Sequence, residues 1–156
     1  MERYMTATVE NIDDIINLRI MYLVEYNKGL KDEIINELKI NMKEYLKEHL
    51  NKDCFIEIAY NDNKIISSAI LNIVKKVPSP RFLNGVFGEL YGVYTNPNYR
   101  NKGIATNLVK RIIENTKNKN ISFIQLGASE MGANIYIKCG FIYSNSEYKE
   151  MKYYFN

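Results

Sequence analysis

The stretch from Asn96 to Arg111, "NPNYRNKGIATNLVKR", sets two cations, Arg100 and Lys102, and a glycine, Gly103, directly before a pattern with helical spacing. A helix dipole favours negative side chains at that end, so positive charge there suits an anion brought from outside. Free backbone N–H groups of the first turn, joined by Arg100 and Lys102, would cradle a pyrophosphate. A side chain at position 103 would hold phosphate oxygens away from the backbone. The plain alternative is a turn: Pro97 ends a strand, both cations are solvated, and Gly103 eases the chain into the helix. The stretch lacks the Gly-Lys-Ser/Thr ending of a Walker A loop and the three glycines of a dinucleotide fingerprint. Nucleotide hydrolysis and hydride transfer both lose support.

The elements that must position this loop follow from periodicity. Residues 3 to 9 read as a short strand. Ile12, Ile16, Ile20, Leu23 and Val24 then line one face of a helix that Asn11 or Asp13 can cap. A second helix carries Ile34, Leu38, Met42, Tyr45, Leu46 and His49 on one stripe, which makes His49 a packed helix-end residue. Two β-rich runs around Asn61, Asp62 and Asn63 form a hairpin. A loop holding Pro78 and Pro80 leads to a strand over 89 to 95, the helix from about Lys102 to Lys117, and a buried strand over 121 to 126. Strand, helix, strand at this spacing predicts a right-handed parallel unit, with the helix start at the carboxyl end of the first strand. A helix over 129 to 139, ended by Gly140, and a hairpin around Ser144 to Ser146 close the chain. The predicted order is β-α-α-β-β-β-α-β-α-β-β, an α/β fold with a mixed central sheet of about seven strands.

Composition restricts the setting. The 156 residues are 46% hydrophobic and 25% charged, suited to one domain, and no apolar run approaches the roughly 20 residues that span a bilayer. The first fourteen residues are polar and acidic where a signal peptide needs an apolar core, so a cytoplasmic protein without membrane partners is expected. A net charge of +3, with basic residues interleaved among acidic ones and only Lys75, Lys76 and Arg81 clustered, gives no continuous face for nucleic acid. Cys54, Cys139 and the single His49 have no zinc-ligand spacing, so free thiols and no metal are expected.

Residues 100 to 105, "RNKGIA", resemble the R/Q-x-x-G-x-G/A signature of the GCN5-related N-acetyltransferase superfamily. Residues 129 to 141, "SEMGANIYIKCGF", are similar to its second motif, Y-x-K-x-G-F, through Tyr136, Lys138, Gly140 and Phe141. The predicted element order agrees with that fold along the chain. Two departures stand out: Asn101 where glycine is usual, and Ser129 where asparagine is common.

The resemblance implies acetyl-CoA as cosubstrate and acetyl transfer to a primary amine of a small molecule or peptide by direct attack. It places pantetheine along Val93, Tyr94 and Thr95. The pyrophosphate falls on Arg100, Asn101, Lys102, Gly103, Ile104, Ala105 and Thr106, and Ser129 and Lys138 complete the cofactor side. It implies Tyr136 as general acid towards the leaving thiolate and Glu89 as candidate base. Tyr22, Glu25, Tyr26 and Arg81 border the acceptor side. Family members often dimerise, and the tail "YKEMKYYF" alternates as a strand that could pair across two chains. A non-catalytic acyl-CoA-binding module is the alternative; it would need Arg100 and Gly103 but neither Tyr136 nor Glu89.

Overall fold

Asp62 and Asn63 both take left-handed φ values, 46° and 66°, and close a two-residue hairpin loop. Short polar residues tolerate this conformation, and such loops match the twist of the strands they join. The hairpin sets the register of a sheet in the computed structural model, which describes residues 1–155. Strands β1 (Arg3–Thr6), β2 (Cys54–Asn61), β3 (Lys64–Lys75), β4 (Val86–Thr95) and β5 (Ile124–Gln125) lie side by side in that order. The first four pair antiparallel, and β5 runs parallel to β4.

Helices α1 (Ile12–Tyr26) and α2 (Asp32–His49) cover one sheet face, α3 (Ile104–Thr116) and α4 (Ala133–Lys138) the other. Alternation divides the strand residues between two cores. Ile56, Ile58 and Ile70 pack with Ile12, Ile15, Ile16 and Leu46. Ala59, Ala69, Leu71 and Leu90 pack with Ile104, Leu108, Val109 and Ile112.

The expected sheet of about seven strands is corrected to five. The tail predicted as a hairpin forms no strand over 142 to 155, and its last residue, Asn156, lies outside the described residues. Two physical reasons account for this. The edge it would join, β5, is only two residues long, and Ile142, Tyr148, Met151 and Phe155 stay exposed, so no burial offsets the entropy of ordering a ladder. The strand expected over 121 to 126 shrinks likewise to Ile124–Gln125, while β4 starts three residues earlier than predicted, at Val86.

One buried charge holds the layers together. Glu57, only 2% exposed, points from β2 into the α3 side. Its carboxylate accepts from Arg111 Nε (2.7 Å) and Asn115 Nδ2 (2.7 Å) of α3 and from Thr6 Oγ1 (2.6 Å) of β1. Truncating one member of such a network leaves a desolvated charge short of partners. Arg111→Ala is therefore expected to destabilise the fold by about 2–3 kcal/mol, lowering the melting temperature by roughly 5–10 °C in calorimetry. A shift below about 1 °C would show that water replaces the guanidinium freely.

Candidate active site

The site begins with one extra residue in β4. Ile70 pairs with Tyr91 and Ser68 with Tyr94, so one step on β3 faces two on β4 and the ladder bulges at Gly92. Gly92 has φ +60°, and a Cβ there would lie 2.6 Å from Arg19 Nη1 and 3.0 Å from Ile70 Cδ1. Before the bulge, Gly88 N–H bonds Phe123 O (2.9 Å) on the β5 side. Beyond it, Asn96 N–H bonds Ile66 O (2.8 Å) on the β3 side. The change of parity turns the backbone of Val93 and Thr95 towards β5. Pairing with β5 nevertheless ends at Glu89 and Gln125. From Leu90 to Thr95 that side of β4 has no strand beside it among the described residues.

At the end of this open segment lies the loop in which the sequence predicts an anion. Asn101 and Gly103 have φ of +63° and +75°, and α3 starts at Ile104. The N–H of Asn107 reaches Gly103 O (3.0 Å), so the N–H groups of Ile104, Ala105 and Thr106 precede the helical ladder and have no helical acceptor. No acidic side chain occupies that turn. A Cβ at Gly103 would meet nothing within 4 Å: the glycine answers to its φ, and the space before it is open.

Arg100 does not meet the sequence expectation of a free cation at this loop. Its Nη2 donates to both carboxylate oxygens of Glu25 on α1 at 2.8 Å, and its Nε to Thr95 O at 2.9 Å. Tyr94 OH donates to Glu25 Oε2 at 2.8 Å, and the guanidinium lies 5.4 Å from the Tyr94 ring centre. The guanidinium therefore clamps α1 to the end of β4, its charge neutralised. Lys102, with Nζ 5.4 Å from the Tyr99 ring, and the backbone N–H groups carry the loop's positive potential. Hydrogen bonds from Arg100 and then Tyr94 hold the Glu25 carboxyl below its usual range, and Tyr94 is pushed up to about 12, mainly by burial and then by Glu25.

Opposite, Tyr136 is fixed by the end of its own short helix. Gly140, at φ +94°, sends its N–H to Ile137 O (3.0 Å), and Phe141 N–H reaches Tyr136 O (3.0 Å). This double-bonded helix end explains the spacing Y-x-K-x-G-F, since the residue after the glycine packs on the one five positions earlier. The Tyr136 and Phe141 rings meet edge to face at 5.9 Å. Ser129 Oγ accepts the N–H of Gly132 (3.1 Å), forming the turn that leads into α4. Burial, followed by Tyr22 and Cys139, raises the Tyr136 pKa. Tyr136 lines a cavity of about 590 Å³ with Gln125, Leu126, Phe141 and Arg81. Lys138 is exposed in the last turn of α4.

Glu89 is exposed at the last rung of the β4–β5 ladder, between Asn72 and Gln125, with no side-chain partner among the described residues. Tyr22 packs between Tyr26 (5.9 Å) and Tyr94 (5.5 Å). Sequence reasoning missed Arg19, whose guanidinium reaches the bulge. A signal was present: Arg19 follows Ile15 by four and Ile16 by three, so it shares the buried stripe of α1.

A model of the acetyltransferase (GNAT) family matches residues 16–141. The chain belongs to this family. A predicted acetyltransferase from Clostridium acetobutylicum, solved with acetyl-CoA, is 28% identical and superposes with a TM-score of 0.81 over 97% of this chain and 96% of that one. A GCN5-related N-acetyltransferase from Ralstonia eutropha is 18% identical with a TM-score of 0.76, covering 97% and 99%. Glucosamine-6-phosphate N-acetyltransferase from Arabidopsis thaliana, 18% identical with a TM-score of 0.72 over 99% of both chains, shares the fold. No curated protein matches the chain.

The clamp generates a pH test. Because the folded pKa of Glu25 is depressed, its stabilisation is complete above the unfolded carboxylate value and disappears as pH falls through the folded one. Glu25→Gln should melt about 1–3 °C below the wild type at pH 7, as expected for a half-exposed pair, and the two curves should converge as pH falls through the depressed Glu25 value. A difference that does not narrow at all on acidification would mean that packing, not charge, holds α1 to β4.

Proposed function

We propose that the chain is a single-domain N-acetyltransferase that moves the acetyl group of acetyl-CoA to a primary amine by direct attack. The observation that carries this reading is the unpaired side of β4, from Leu90 to Thr95, ending at the free N–H groups of α3. An extended pantetheine fits there as a surrogate strand on Val93 and the Thr95 N–H, since Thr95 O already accepts from Arg100, and a pyrophosphate fits at residues 101 to 106. The 28% identical Clostridium acetobutylicum relative with acetyl-CoA supports the same cosubstrate here.

Acetyl-CoA supplies the acyl group as a thioester. The reaction forms a C–N bond to the acceptor and breaks the C–S bond, so one proton leaves nitrogen and one reaches sulfur. The backbone N–H of Val93, aimed into the opening by the bulge, is the donor placed to meet a developing oxyanion, a contribution of a few kcal/mol for such donors. Tyr136 is the acid. Its raised pKa keeps the phenol protonated at neutral pH, ready to donate to a thiolate. Glu89, exposed at the mouth of the opening, takes the amine proton through water. No side-chain nucleophile is required, and orienting the two reactants supplies much of the acceleration. Lys102 and Lys138 supply charge towards phosphates, and Ser129 shapes the turn that leads into α4.

Thiol release with acetyl-CoA and a panel of amines tests the activity directly; absence of turnover with every amine, despite tight acetyl-CoA binding, would favour a binding module. Gly103→Glu should weaken acetyl-CoA binding by at least about tenfold in calorimetric titration, because a carboxylate would stand in the phosphate path. Tyr136→Phe should keep its affinity and melting temperature while kcat falls roughly ten- to a thousandfold. Full kcat in that variant, with chemistry rate-limiting, would make Tyr136 a packing residue.

A further inference from the structure

Between α1, α2 and the sheet lies a second cavity, of about 320 Å³, at the small end of the range for small-molecule sites. Its walls are largely aliphatic, with Ile15, Ile16, Met42, Leu46 and Ile70 among them. One charged side chain lines it, Arg19. Arg100 and Arg111 each hold a carboxylate, but Arg19 has no ion-pair partner among the described residues. Its guanidinium lies 5.4 Å from the Tyr91 ring and 5.8 Å from the Tyr22 ring, which hold the planar fork in place.

The other titratable groups of the wall do not neutralise it. Burial pushes the Cys54 thiol up to about 12 and raises Tyr45 and Tyr91, so all three are neutral at pH 7. Asn72 ties the two tyrosines together, donating to Tyr45 OH at 2.8 Å and accepting from Tyr91 OH at 3.3 Å. The cavity thus presents one half-buried cation, without a counter-ion, over an apolar floor. Desolvating a charge in this way is unfavourable, and an anion delivered by a ligand offsets it.

The geometry points to this cavity as the acceptor site, taking a small α-amino carboxylate with an apolar side chain, its carboxylate on Arg19. The inference rests on the N-acetyltransferase reading above. Position in the fold supports it: Arg19 Nη1 is 2.6 Å from where a Cβ on Gly92 would stand, beside the Val93 N–H assigned to the oxyanion. In an α-amino acid the amine and the carboxylate share one carbon, so a carboxylate held by Arg19 keeps the amine next to the bulge. The aliphatic walls receive the side chain. A polyamine or aminoglycoside would bring further cations against Arg19. A single arginine, without a second cation in the wall, matches a singly charged carboxylate better than a phosphate.

The test compares leucine, leucinamide and isoamylamine as acceptors in the thiol-release assay, using wild type, Arg19→Met and Arg19→Lys. Leucine should exceed both carboxylate-free analogues by about 10- to 100-fold in kcat/KM, the span expected for a charge-assisted pair. Arg19→Met should remove that preference, chiefly through KM, so that leucine loses at least about tenfold more than isoamylamine; Arg19→Lys should restore part of it. Calorimetric binding of N-acetyl-leucine without acetyl-CoA examines the pocket independently of transfer, and Arg19→Met should abolish it. If acetyl-CoA fails to bind, the transferase reading falls, while N-acetyl-leucine binding that depends on Arg19 would still support the pocket. If transfer proceeds but isoamylamine equals leucine in the wild type, or if Arg19→Met slows both alike, the acceptor inference is overturned.

Discussion

The structure depends on an interruption of one hydrogen-bond ladder. A single extra residue at Gly92 breaks the β3–β4 register, reverses which side of β4 its backbone groups face, and leaves Val93 and the Thr95 N–H facing a gap rather than a strand, while Thr95 O accepts from Arg100 Nε. Only glycine meets the requirement, since φ is +60° and a Cβ would collide with Arg19 and Ile70. Buried backbone groups need partners, so a stretch of unpaired β4 edge amounts to a site for an extended ligand. A pairing with β5 continued as far as Thr95 would have produced a more regular sheet without that opening.

Two polar assemblies hold the opening in shape. Glu57, Arg111, Asn115 and Thr6 fasten α3 to β1 and β2, fixing where the first turn of α3 falls relative to the end of β4. Glu25, Arg100 and Tyr94 fasten the end of α1 to the same place from the other face. They differ in environment: the first carboxylate is buried, whereas the second is half-exposed and screened by water. The loop before α3 is thus positioned by a charge pair whose cation the sequence assigns to the ligand.

Much of the fold was legible because it rests on local rules. The helical stripes of α1 and α3, the Asp62–Asn63 turn and the parallel β4–α3–β5 unit all follow from spacing and turn chemistry, and the two motifs locate the loop before α3 and Tyr136; α2 packs Leu38, Met42 and Leu46 as expected but exposes Ile34 and Tyr45 and turns Ile35 to the core instead. Strand count failed where periodicity continued without a surface to bury against: the tail alternates, yet β5 offers an edge of two residues. Arg19 escaped because a charge on an apolar stripe reads as an interruption until the face opposite it is known.

The family, the order of elements as far as α4, the left-handed positions available to glycine and asparagine, and the Y-x-K-x-G-F helix end were all readable from the sequence, because each is set by residues within a few positions of one another. Only the tertiary structure decided the partners of charges. That Arg100 belongs to Glu25, 75 residues away, that Arg111 belongs to Glu57, 54 residues away, and that Arg19 has no such partner among the described residues are outcomes of packing. Side chains pair by distance in space, and desolvation then decides which charges must find a counter-ion. Neither quantity is encoded in local spacing.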